Sequence, residues 1–197
     1  MMIDLAFILN SAGLGVGLAM DAFSVSLANG LHEPRMSRSR MSAIAGVYAL
    51  FQYAMPMIGW ICVETVLELF TSLRRAVPWI ALALLLYIGG KMLLEGLRAG
   101  GGGEGAPAER RLGLRALLLQ GLATSIDALS VGLTLAAYSA AMANLAALII
   151  GGVTFGICLV GLQIGKRVGL RLSRKASVLG GVILIVIGLE IFLKGIL

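Results

Sequence analysis

The sequence predicts an all-α integral membrane protein of six transmembrane helices, arranged as two inverted three-helix repeats. Three observations carry this. Of 197 residues, 59% are hydrophobic and 13% charged; six apolar runs are each long enough to cross a bilayer; and the two halves match around paired aspartates. A soluble domain carries roughly 45–50% apolar and about 25% charged residues, so a mean hydropathy of +0.97 excludes that class. No collagen period or polar low-complexity tract supports a fibrous or disordered reading. At about 20 residues per crossing, six spans consume most of the chain, so function must sit within the helices or their connections.

The first span covers about residues 5–30. Asp4 precedes it and no Lys or Arg occurs before Arg35, so it lacks the basic leader of a signal peptide and is expected to be retained. The second and third spans cover about 41–63 and 76–97. After them comes RAGGGGEGAPAERR, a Gly-rich, charged, Pro-containing surface linker. It divides the chain into a first repeat (1–98), a cytoplasmic linker (99–114) and a second repeat (115–197). Spans four to six follow at about 116–138, 142–165 and 177–196.

Charge placement sets the orientation, because Lys and Arg in short loops stay on the cytoplasmic side. Arg35, Arg38 and Arg40 follow span one; Arg98, Arg110, Arg111 and Arg115 flank the linker; Lys166, Arg167, Arg171, Arg174 and Lys175 follow span five. These are twelve of the sixteen basic residues, while AAYSAAMAN between spans four and five has none. Both termini are therefore expected on the outer side. The net charge of +6 is explained by topology, which removes the case for nucleic acid. Cys62 and Cys158, both in apolar stretches, exclude a disulfide framework or a CxxC metal site.

The halves align at an offset of 106: DAFSVSL (Asp21 to Leu27) meets DALSVGL (Asp127 to Leu133), and Gly59 meets Gly165. At an offset of 99, IGGKMLLEG (Ile88 to Gly96) meets IGLEIFLKG (Ile187 to Gly195). Three spans per repeat is an odd number, so the halves enter the membrane in opposite senses. In secondary transporters of this kind the substrate site lies near the midplane between the repeats.

Asp21 and Asp127 occupy equivalent positions deep in spans one and four. A carboxylate at mid-bilayer costs about 2.5–3.5 kcal/mol on insertion scales and marks a functional site by default; the bland reading is a protonated acid bonded within the bundle. Gln120, Thr124, Ser130 and Thr134 fall at i−7, i−3, i+3 and i+7 from Asp127, a polar lane along one stripe of a continuous helix. Span one holds a weaker version in Asn10 and Ser24. Isolated hydroxyls commonly bond their own backbone, but beside an acid they become candidate ligands. In span two, Pro56 removes the amide that would bond the carbonyl of Gln52, giving Gln52 two oxygen donors at a broken helix. A packing kink is the alternative. Cys158 stands at the position matching Gln52, and a buried apolar cysteine is its simplest reading.

Lys91 with Glu95 and Glu190 with Lys194 are i, i+4 pairs near span ends, read as structural pairing with gating as the alternative. His32 reads as an interface residue, and Met20, beside Asp21, is the one methionine worth testing as a ligand. Two carboxylates among hydroxyl and amide oxygens suit a hard or borderline dication such as Mn²⁺ as transported substrate, and few His or thiolate ligands argue against zinc or copper. Two aspartates and one dication sum to zero charge, and after release the pair would repel unless protonated. Exchange of metal for protons is the natural hypothesis.

GLAMDAFSVSLANG, MPMIGW, IGGKMLLEG and ATSIDALSVGL together resemble the manganese efflux pump (MntP) family, in the same order and over nearly the whole chain. The resemblance implies a six-helix bacterial inner-membrane protein that exports Mn²⁺, needs no cofactor and is related to the lysine-exporter-like superfamily. It also implies an acid four residues before the span-two proline, where this chain has Gln52. Three competing readings remain. An exporter of another cation or an amino acid could use the same scaffold. An intramembrane aspartyl protease needs two membrane aspartates, but GLAMD and ATSID lack the GxGD pattern. A non-transporting membrane subunit would leave the polar lane without purpose.

Overall fold

The computed structural model describes residues 5–62, 79, 82–83, 85–91, 93–94, 97, 112–172 and 175–196. Every regular element among them is helical: α1 (Leu5–His32), α2 (Arg38–Cys62), α3 (Leu114–Ala123), α4 (Ile126–Leu135), α5 (Ala140–Leu172) and α6 (Lys175–Ile196). Residues 85–91 form a further helical stretch before α3. Most of the linker and most of the third span lie outside the described residues.

Local chemistry explains the ends of these elements. Pro34 disfavours helical geometry at Glu33, and α1 stops at His32. Ser37 then caps α2: the amide of Arg40 donates to its hydroxyl at 3.3 Å. Between α3 and α4 the amide of Ser125 donates to Leu122 O at 3.2 Å and that of Ala128 to Ser125 O at 3.1 Å, tightened i−3 bonds in place of the α-helical pattern. The Thr124 hydroxyl donates to Gln120 O at 2.9 Å and the Ser125 hydroxyl to Leu122 O at 3.2 Å. Such back-bonding bends helices, and here the two axes meet at 46°.

By length and composition α1, α2 and residues Ala140–Gly169 of α5 can each cross a membrane, and the bent pair α3–α4 makes a fourth crossing if counted as one span. Within α6 the apolar segment Val178–Ile187 is shorter. Exposed Leu5, Ile61 and Val186, each more than half accessible, belong to an outer surface suited to hydrocarbon.

The core is made where small residues let backbones approach. α1 packs on α5 and α2 on both α4 and α5. A side chain at Gly30 or Gly165 would strike the backbone of the facing helix, since each glycine meets the Cα of the other at 3.0 Å from an added Cβ. Gly59 of α2 and Gly132 of α4 make the corresponding contact. Gly59 and Gly165, matched in the sequence at offset 106, are thus both crossing points between one half and the other. Lipid is as apolar as the side chains, so close packing of this kind, not burial from water, holds membrane helices together. Leu85 and Ile88 share a core cluster with Leu184 and Ile187, their partners at offset 99.

At one end the α1–α2 loop is pinned. Arg40 Nε donates to both carboxylate oxygens of Glu33, at 2.7 and 2.9 Å, and an Arg40 terminal nitrogen donates to Leu112 O at 2.9 Å. Lys166 Nζ reaches Met36 O at 2.6 Å. These bonds join both halves on the side that carries the basic loops.

Candidate functional site

Gln52 links the two acidic motifs. Its Nε2 donates to Leu18 O at 2.9 Å and to Thr124 O at 3.3 Å. Those carbonyls stand three residues before Asp21 and three before Asp127, so they are equivalent positions at the sequence offset of 106. One amide of α2 therefore ties together the turns that lead into both aspartates. Ala128, next to Asp127, packs in one cluster with Leu18 and Ile150. The helix break makes the Thr124 carbonyl available: Ala128, whose amide would serve it in a continuous helix, donates instead to Ser125 O and to Asp127 Oδ1, the latter at 2.9 Å. Gln52 is fully buried, and its Oε1 has no hydrogen-bond partner. A buried amide oxygen without a donor is costly, and it is the kind of oxygen a hard cation accepts.

The expected helix break at Pro56 is corrected, although the missing Pro56 amide still withholds its bond from the Gln52 carbonyl. α2 continues through Pro56 to Cys62, because losing one amide does not outweigh the remaining bonds and packing of a 25-residue helix. The break falls at Thr124–Ser125, and the lane is consequently divided. Gln120 and Thr124 are buried, whereas Asp127 and Thr134 lie on exposed positions and Ser130 is half-buried. A straight stripe through all five residues requires one helix; a 46° bend removes it. Thr134 donates to Val131 O at 2.7 Å and Ser24 to Met20 O at 3.0 Å, so both hydroxyl protons serve the backbone. Asn10 is exposed near the start of α1, and Asp21 is half-buried.

Lys91 and Glu190 are exposed; Glu95 and the Lys194 side chain lie outside the described residues. His32 is half-buried at the end of α1. Cys158 is a buried free thiol and Met20 is 49% exposed. Among the described residues no three His, Cys, Asp or Glu side chains come together.

Sequence reasoning missed two features. Asn29 of α1, Tyr48 of α2 and Gln120 of α3 form a closed buried ring: Asn29 Nδ2 donates to Tyr48 Oη at 2.7 Å and to Gln120 Oε1 at 3.0 Å, and Tyr48 Oη donates to Gln120 Oε1 at 2.8 Å. Gln120 Nε2 returns a longer bond to Asn29 Oδ1 at 3.4 Å. An amide inside an otherwise apolar run was the available signal. The other is the helix break, for which adjacent Thr124 and Ser125 were the cue.

Several long apolar helices, glycine crossings and a buried polar interior define a multi-pass membrane protein. Residues 35–192 match the family model described as "Putative manganese efflux pump". A protein of that name from Clostridium botulinum is 38% identical over 189 residues, 92% of each chain. Another from Methanothermobacter thermautotrophicus is 40% identical over 185 residues, 93% of this chain and 94% of the relative. One from Gloeothece citriformis is 38% identical over 190 residues, 95% of each. The chain belongs to this manganese efflux pump family, whose members are named as transporters and not as enzymes. No solved structure matches the chain.

Proposed function

We propose that this protein is a secondary transporter that exports Mn²⁺ across the bacterial inner membrane in exchange for protons, at a site built on Asp21 and Asp127. The observation that carries the reading is the Gln52 bridge between the equivalent carbonyls of Leu18 and Thr124. It favours a single site near the repeat interface, with the unpartnered Gln52 Oε1 as a neutral ligand. Ser24 and Ser130, one turn beyond each aspartate, add hydroxyl oxygens, and Gln120, Thr124, Thr134 and Asn10 belong to the wider pathway. Two carboxylates balance one dication, and protonation after release relieves their repulsion. Family membership supports manganese and outward transport.

Six crossings in two inverted repeats are part of the same proposal. Support comes from the glycine contacts: α1 on α5 and α4 on α2 are exchanged pairings under a two-fold relation between the halves. With both termini outside, the basic loops and the pinned α1–α2 connection face the cytoplasm. The neutral Gln52, where the family resemblance implies an acid, favours one second reading, a cation other than Mn²⁺ on the same scaffold.

The test is intracellular manganese, with other divalent metals alongside, in cells without their own exporter. The parent should lower manganese selectively, and Asp21→Asn and Asp127→Asn at matched membrane levels should not. Variants that work as well as the parent would remove the paired-carboxylate site, and unchanged manganese with another metal lowered would reassign the substrate.

A further inference from the structure

We propose that Asn29, Tyr48 and Gln120 form the cytoplasmic gate of the ion pathway, closed in this conformation, and that α3 swings about Thr124–Ser125 to open it. The proposal rests on the exporter reading and its orientation. Asn29 lies eight residues beyond Asp21 toward Arg35, and Gln120 seven residues before Asp127 toward Arg115. The ring therefore stands about two helical turns from each aspartate, on the side of the basic loops. Its three side chains are essentially inaccessible and come from three helices, two in the first half and one in the second. Tyr48 belongs to one buried apolar cluster with Val25, Ala28, Ile44, Ala45, Leu117 and Leu162, so the ring adjoins an apolar core.

Apolar side chains of similar volume could also fill this space, since a typical intramolecular hydrogen bond contributes only about 1 kcal/mol net. A mutually bonded ring has a different property. Closed, each amide and hydroxyl satisfies its neighbours and excludes water. Open, each can exchange those bonds for bonds to water or to a hydrated cation at little net cost, because folding-type hydrogen-bond exchange is nearly balanced. The hinge is present in the same element: Gln120 is on the ten-residue α3, which the 46° break separates from the helix carrying Asp127. α3 can thus tilt without moving the acid. Gly121, whose added Cβ would lie 2.6 Å from the Phe51 ring, lets α3 pack closely on α2 in the closed state.

The test uses full-length protein with Cys62→Ser and Cys158→Ala. Val25→Cys is the reporter, four residues from both Asp21 and Asn29 and fully buried. In sealed inside-out vesicles a membrane-impermeant thiol reagent should label it slowly when the ring is intact, and at least tenfold faster with Tyr48→Phe plus Asn29→Ala. In right-side-out vesicles the rate should not change. A second arm places Asn29→Cys with Gln120→Cys and bridges them with a bifunctional methanethiosulfonate. Bridging should cut manganese efflux at least tenfold and reductant should restore it, an outcome that misfolding cannot mimic. Equal labelling with and without the ring, or undiminished efflux in the bridged protein, would overturn the gate. If the unbridged parent moves no manganese at all, the exporter reading fails, and the labelling rates still decide the gate.

Discussion

At Gln52 a single side chain decides how the two acidic motifs meet. Its amide donates to two carbonyls, one from each half. Replacing it with Leu removes both bonds and leaves the Thr124 carbonyl buried at a break, which should cost about 1–3 kcal/mol. Chemical denaturation in detergent would read this as a lowered midpoint relative to the parent. Arg40 presents a similar case on the loop side, because Glu33 is only 5% exposed and both its oxygens accept from one guanidinium. Arg40→Ala should destabilise by about 1.5–3 kcal/mol, the range for hydrogen bonds to a charged group, while the exposed Arg38→Ala should stay within about 0.5 kcal/mol. Equal effects in a thermal unfolding series would mean that the pair is not holding the loop. The aspartates were legible in the sequence because an acid in an apolar run has few explanations. The role of Gln52 was legible only as an oxygen donor, since which carbonyls its amide reaches depends on the approach of α1 and α3.

Among the helices, glycine positions and the helix break carry the architecture. Gly165→Ala should force α1 and α5 apart, because the atoms it would strike, Leu27 O and the Gly30 Cα, are backbone and cannot rotate away. An overpacking cost of about 1–3 kcal/mol is expected, measurable as loss of folded protein at lower denaturant concentration. Gly152→Ala on the same helix, where an added Cβ meets nothing within 4 Å, should be neutral or mildly stabilising. The break at Thr124–Ser125 shows where periodicity reasoning fails. A stripe at i−7, i−3, i+3 and i+7 is read on the assumption of one axis, and hydroxyls that bond their own carbonyls remove that assumption locally. Pro56 illustrates the converse, a residue that breaks helices in isolation but is tolerated where the surrounding packing holds both sides in line.

For the whole molecule, basic residues and repeat symmetry together set the expectation of sidedness. Arg38→Cys, in a cysteine-free background, should react with an impermeant thiol reagent only from the cytoplasmic side, and Ala137→Cys, in the connection after α4, only from the outside. Labelling of both from one side would contradict an arrangement in which α1 to α2 and α4 to α5 turn at opposite faces. The class of the protein, its repeated acidic motifs, the likeness to its family and the polarity of its loops follow from sequence alone, because bilayer length, charge and side-chain chemistry are properties of each segment taken singly. The Gln52 bridge, the Asn29–Tyr48–Gln120 ring, the glycine crossings and the divided α3–α4 span were decided by tertiary structure. Each depends on which helix faces which and at what height, and in an almost uniformly apolar sequence that information resides in the packing of whole helices against one another.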